Sequence, residues 1–167
     1  GDDSNSPVLL VDGQTSSDNT WTGKQTFTGT SSKLAEVLTN AAEKITVSAI
    51  AATGTINFDI TTQSVLYYTT NASGNFTVNF RASSGTSLNT AMSTGECITA
   101  AFLVTNGSTA YYNSAVTIDG SSVTPKWQGG ASPLSGNTNS VDIYTYTIVK
   151  TGSARSEEQT SELQSHW

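Results

Sequence analysis

Charge is scarce in this chain. Asp, Glu, Lys and Arg together supply only 12% of its 167 residues, and the formal net charge is −6. A basic footprint that would displace counterions from a phosphate backbone is missing, so nucleic acid is not an expected partner. Cysteine is rarer still. The single Cys97 excludes an internal disulfide and any metal site built from cysteine alone. It lies in "ECITAAFLV", which reads as a strand, and its expected role is that of a small buried hydrophobe. The one histidine, His166, stands next to the last residue. The body of the chain therefore has no material for a histidine-dependent triad or a histidine metal site. No apolar run approaches the roughly 20 residues of a membrane-spanning helix, so membrane insertion is not expected, and no signal peptide is visible. The chain opens on "GDDSNSP" without methionine, and we expect an internal piece of a longer protein.

What is abundant is hydroxyl. About three residues in ten are Ser or Thr, against a hydrophobic content of 35%. Such a composition suits β-strands whose outward positions carry Thr, Ser and Asn instead of Lys and Glu. From Ile45 onward the apolar period is two. Ile56, Phe58 and Ile60 share a face in "TINFDI", Phe76, Val78 and Phe80 share one in "NFTVNF", and Ile98, Ala100, Phe102 and Val104 share one in "CITAAFLV". Alternation of this kind marks half-buried strands. Turn signals at Asn71–Gly74, Asn106-Gly107 and Asp119-Gly120 predict hairpins, and the last two imply a meander over 96–127. The expected fold is all-β, an antiparallel β-sandwich or open barrel over 44–154.

Before it, residues 1–43 read as an extended, stalk-like arm. Only one stretch has helical spacing. Leu34, Val37, Leu38, Ala41, Ala42 and Ile45 follow an i, i+3, i+4, i+7 stripe, predicting a short helix over 33–43 capped by Ser31 or Ser32. Trp21 and Phe27 lie in pieces too short to enclose them, which makes them candidate oligomer contacts.

The segment "NTWTGKQTFTG" resembles bacteriophage tail-fibre and stalk proteins, where a W-T-G-x-Q-T-F segment opens short intertwined strands. The stretches "TQSVLYYTTNASGNFTVNF", "AFLVTNGSTAYYNSAVTIDGSSVTPKWQGG" and "DIYTYTIVKTG" resemble the β-rich domain of virion structural proteins from marine phages, cyanophages in particular. This second likeness covers roughly residues 45–153. The resemblance implies a non-enzymatic virion component, part of a tail fibre or related appendage located in the extracellular virion. It also implies self-association as a homotrimer and contact with a host-cell glycan. The competing reading is a secreted bacterial adhesin or carbohydrate-binding module.

Members of that family continue past "KTGSA" with one more alternating apolar strand, and this chain does not. Its ending "RSEEQTSELQS" resembles the conceptual translation of a sequencing-library adapter, usually R-S-E-E-H-T-S-E-L-Q-S, with Gln159 in place of His. We therefore expect 155–167 to be a non-native tail that replaces the last strand and takes no defined register. Arg155 contributes +1 and Glu157, Glu158 and Glu162 contribute −3, so the tail carries −2 and the remainder −6 − (−2) = −4.

Candidate chemistry is thin. Asp59, Glu96, Asp119 and Asp142 could form a carboxylate pair, but turn chemistry and solvation account for them more simply. Asp2, Asp3 and Asp12 lack the spacing of a calcium loop. No catalytic residue, metal site or cofactor is expected. The candidate glycan contacts are Tyr68, Tyr111 and Trp127, because an aromatic face can stack on the C–H surface of a sugar. Cross-strand packing is the simpler account of the tyrosine pairs, and a lid over the end of the sandwich the simpler account of Trp127. The long loop "KWQGGASPLSGN" that carries Trp127 is the better binding candidate, since such a loop must pack or bind.

Overall fold

A computed structural model describes residues 21–152 and, as backbone, 158–166. These residues divide between Ala42 and Glu43 into two compact units. Asp2, Asp3 and Asp12, which lack the spacing of a calcium loop, and residues 155–157 and Trp167 of the expected non-native tail lie outside the described residues.

In the first unit the expected helix over 33–43 is absent. The Thr30 hydroxyl accepts from the Ser32 amide at 3.3 Å, and Thr30 and Lys33 bridge through their backbones. Ser and Thr compete for backbone bonds in this way and divert a chain from helix. Asn40 adopts a left-handed φ of 58°. Leu34, Val37 and Leu38 are exposed, so the stripe that would have stabilised a helix has nothing to pack on within its own unit.

The second unit is largely β, in two sheets. Strands β1 (Thr46–Ala51), β3 (Val65–Thr70), β5 (Cys97–Thr105) and β9 (Val141–Val149) run side by side in one sheet, followed by β10 (Glu158–His166) and β8 (Lys126–Trp127). Strands β2 (Gly54–Asp59), β4 (Phe76–Arg81), β6 (Asn113–Ile118) and β7 (Ser121–Val123) form the other. A single α-helical turn, α1 (Leu88–Ala91), and a 3-10 turn at Gln128–Gly130 complete the described elements.

The pairing differs from the expected antiparallel one. β1, β3 and β5 are mutually parallel, as are β2, β4 and β6; antiparallel pairing is confined to β5/β9, β9/β10 and β6/β7. The chain changes sheet at every step from β1 to β6, winding three times around one core. The turns at Asn71–Gly74 and Asn106-Gly107 are therefore corners between sheets, and the meander over 96–127 does not form.

The corners stack. Ala72 donates to the Thr105 carbonyl at 2.8 Å and Ser73 to that of Ala52 at 3.0 Å. A Cβ on Gly107 would stand 2.7 Å from the Asn71 amide nitrogen, and one on Gly74 2.7 Å from the Thr53 hydroxyl. These glycines admit the neighbouring corner. Only Asp119-Gly120 closes a hairpin, with φ of 50° and 77°, the positive values that a two-residue turn requires.

Parallel register places like beside like. Ile56, Val78 and Val116 form one inward row; Phe58, Phe80 and Ile118 form the next. Rings from the two sheets meet across the core: Phe76 lies 5.6 Å from Phe102 and 5.8 Å from Tyr144, and Phe80 4.8 Å from Tyr146, all edge to face. Between the inward rows, the Asn79 amide donates to Asn57 at 2.8 Å and accepts from the Thr117 hydroxyl at 2.7 Å and the Gly120 amide at 2.9 Å. Cys97 is exposed and not buried as expected, because Ile98 begins the inward row of β5 and its neighbour faces out.

The terminal segment also departs from expectation. β10 pairs with β9 in continuous antiparallel register from Glu158↔Val149 to His166↔Val141. Ladder bonds use backbone groups alone, so a polar segment can still occupy the edge that β9 offers.

Candidate functional site

The three aromatic residues singled out from the sequence do not converge. Tyr68, on β3, packs against the core edge-on to Phe102 at 5.2 Å, and burial raises its phenol pKa. Tyr111, between β5 and β6, also packs on the core, and its backbone is held at both ends by Asn106. Its amide donates to Asn106 Oδ1 at 3.0 Å and its carbonyl accepts from Nδ2 at 3.1 Å. Trp127 lines an open cleft.

That cleft, of about 410 Å³, lies where β6 and the chain following β7 border the loop after β8. Asn113, Ser114 and Val116 line it from β6, Val123 from the end of β7, Thr124 and Pro125 from the connection into β8, and Gly130 and Ser132 from the loop. Trp127 is half-buried, one side of it against the core. The irregular register where Phe76 opposes Asn113 and Thr77 opposes Ala115 turns Asn113 inward. Asn113 is 2% exposed, and its Nδ2 donates to the carbonyls of Ala115 at 3.0 Å and Phe76 at 3.4 Å. Its Oδ1 is buried and has no donor among the described residues. An unsatisfied buried acceptor costs about 1–3 kcal/mol.

The loop bounding the cleft is anchored by Asp142. Solvation does not account for this carboxylate, which is fully buried. It accepts from the Asn137 amide at 2.9 Å, Asn137 Nδ2 at 2.7 Å, Asn106 Nδ2 at 3.1 Å and the Ser140 hydroxyl at 3.4 Å. Gly136 sits so close that a Cβ there would collide with the Tyr111 carbonyl. Nothing in the sequence marked Asn106, Gly136, Asn137 and Asp142 as one cluster, because they come from two different loops and a strand.

The other carboxylates are structural as well. Asp119 receives the Leu88 amide at 2.7 Å and the Asn89 amide at 3.1 Å, capping the N-terminus of α1, and Asp59 holds the guanidinium of Arg81 at 2.5 Å. Lys150 is nearly buried and directs Nζ at the carbonyls of Asn89 and Met92, the C-terminal acceptors of the same helical turn. Among the described residues no group of three or more His, Cys, Asp or Glu could hold a metal ion, and no helix is long and apolar enough to cross a membrane.

No family model, curated protein or solved structure matches the chain. The functional reading therefore rests on the residues and the fold.

Trp21 and Phe27 belong to the first unit and are 60% and 53% exposed. They are not isolated in this. Among the described residues, eight of the nine large exposed hydrophobic side chains fall between Trp21 and Ile50: Trp21, Phe27, Leu34, Val37, Leu38, Ile45, Val47 and Ile50. Leu134 is the ninth. β1 and β2, which begin the winding, are also the outer strands of their sheets.

Proposed function

We propose that the chain is a phage virion structural protein, part of a tail fibre or related appendage, with a mechanical role and contact with the host surface. It assembles as a homotrimer through its arm and is not an enzyme. The observation that carries this reading is the concentration within residues 21–50 of eight of the nine large exposed apolar side chains among the described residues. Scattered exposed apolar residues are ordinary, but a concentration in one stretch marks a surface for a partner. The low-charge, hydroxyl-rich composition and the three-turn parallel winding suit a scaffold that must hold register outside a cell. The resemblance of "NTWTGKQTFTG" to stalk segments points the same way. On this reading the second unit is a sandwich-like body displayed outward, and residues 155–167 stand in for a native last strand.

Sedimentation of the full chain tests the assembly. The expected result is a trimer that dissociates on Trp21→Ser combined with Leu34→Ser, while the second unit keeps its far-ultraviolet spectrum. A stable monomer at high concentration overturns the role of the arm. Mass spectrometry of purified virions whose genome carries the gene tests the location, and absence from the particle overturns it.

A further inference from the structure

We propose that the cleft beside Trp127 binds a neutral saccharide; this deepens the host-contact part of the reading above. Two properties of the lining select the ligand. The first is an aromatic platform. The indole of Trp127 borders the cleft with Val123, and an indole face accepts the C–H surface of a pyranose. The second is a set of groups that both donate and accept. The hydroxyls of Ser114, Thr124 and Ser132 line the same space, and hydroxyl-rich ligands match such a set without a fixed polarity.

The lining also says what is refused. Among the described residues no ionisable side chain borders the cleft. A carboxylated or sulfated sugar would shed water there without meeting a counter-charge, and the chain's net charge of −6 repels it from a distance. A volume of about 410 Å³ falls within the range of about 300–1,000 Å³ typical of small-molecule sites. The Asp142 cluster holds the loop that bears Ser132 against the body of the protein. One wall of the cleft is thereby set before a ligand arrives, which lowers the ordering cost of binding.

Saturation-transfer NMR on the full chain tests this, with lactose, maltose and cellobiose as neutral probes and sialyllactose as the acidic counterpart. The expected result is transfer to at least one neutral disaccharide, with markedly less to sialyllactose. Trp127→Ala should lower affinity about tenfold or more, the loss of one good contact. Because Trp127 also packs on the core, Ser132→Trp is the second variant: it fills the mouth from an exposed position and should abolish transfer without changing the melting temperature. Leu134→Ala, exposed and outside the lining, should change nothing. No transfer to any neutral probe, equal transfer to sialyllactose, or transfer unaffected by Ser132→Trp each overturns the proposal. A chain that binds no saccharide yet is found in purified virions removes the cleft and leaves the structural role standing. A chain that binds but is absent from virions does the reverse.

Discussion

Two aspartates show how one residue type serves unlike ends. Asp119 occupies a left-handed position in the β6–β7 hairpin and, from the same position, caps α1 through both carboxylate oxygens. Asp142 is sealed in and, among the described residues, bonded by neutral donors from Asn106, Asn137 and Ser140. Asp119→Ala should destabilise by about 1–2 kcal/mol, the range for losing a cap. Asp142→Ala should cost more, about 3 kcal/mol or above, because bonds to a charged acceptor are worth about 1.5–3 kcal/mol each and several buried donors lose their partner together. Urea denaturation of both variants checks the order. An Asp142 variant no less stable than the Asp119 variant would mean that the loop relaxes to satisfy its own donors. The sequence made Asp119 legible, since Asp-Gly is a turn signal. It hid Asp142, two of whose partners lie 5 and 36 positions away.

At the scale of elements, strands were readable and their pairing was not. Period-two alternation located β2, β4 and β5, and Asp119-Gly120 located the β6–β7 hairpin. The parallel winding had a signal of its own, a repeat written "TINFD" at 55–59, "TVNFR" at 77–81 and "AVTID" at 115–119. These three segments stack in register as β2, β4 and β6, with Asn57, Asn79 and Thr117 hydrogen-bonded along the row. The corners repeat too, as Thr70-Asn71 and Thr105-Asn106. Unequal spacing of 22 and 38 residues conceals the repeat, and Asn-Gly suits a corner as well as a hairpin. The last strand yields a test at this scale. β10 takes the edge beside β9 with few apolar residues to place on a core face. Replacing 155–167 with an alternating apolar strand, as the genomic continuation after Ala154 is expected to encode, should raise the melting temperature. Each kcal/mol gained corresponds to roughly 2–4 °C for a chain of this size. A lower melting temperature, or a genome that itself encodes "RSEEQTSELQSHW", overturns the adapter reading.

The second unit as a whole should respond to alkali. Tyr144 and Tyr146 are fully buried, and desolvation raises both phenol pKa values well above the ordinary 10.0; the Asn113 amide donating to the Tyr144 hydroxyl opposes this only in part. A raised pKa in the folded state gives a contribution fully present below the unfolded value. Below pH 10 neither state ionises these groups, and stability is unaffected. Above it the unfolded chain loses protons that the folded chain retains, so stability falls as pH rises toward the folded values. Urea midpoints should be level up to about pH 9 and drop beyond about pH 10, following the ordinary tyrosine pKa. Tyr146→Phe should reduce the drop, and it also removes a buried hydroxyl that has no partner among the described residues. A midpoint independent of pH up to 11 would show that these phenols ionise in place.

By itself the sequence determined that this protein is built of strands, which residues alternate between core and surface, and where the chain turns. Those properties depend on neighbours within a few residues, through pleat geometry, propensity and turn dihedrals. Tertiary structure alone decided that successive strands would occupy opposite sheets. It decided that Leu34, Val37 and Leu38 would form no helix without a surface to pack on, and that Tyr68 and Tyr111 would face the core while Trp127 borders a cleft. It also brought Asn106, Gly136, Asn137 and Asp142 into one cluster. Each of these depends on which distant backbone or apolar surface a segment meets, and local pattern carries no record of that meeting.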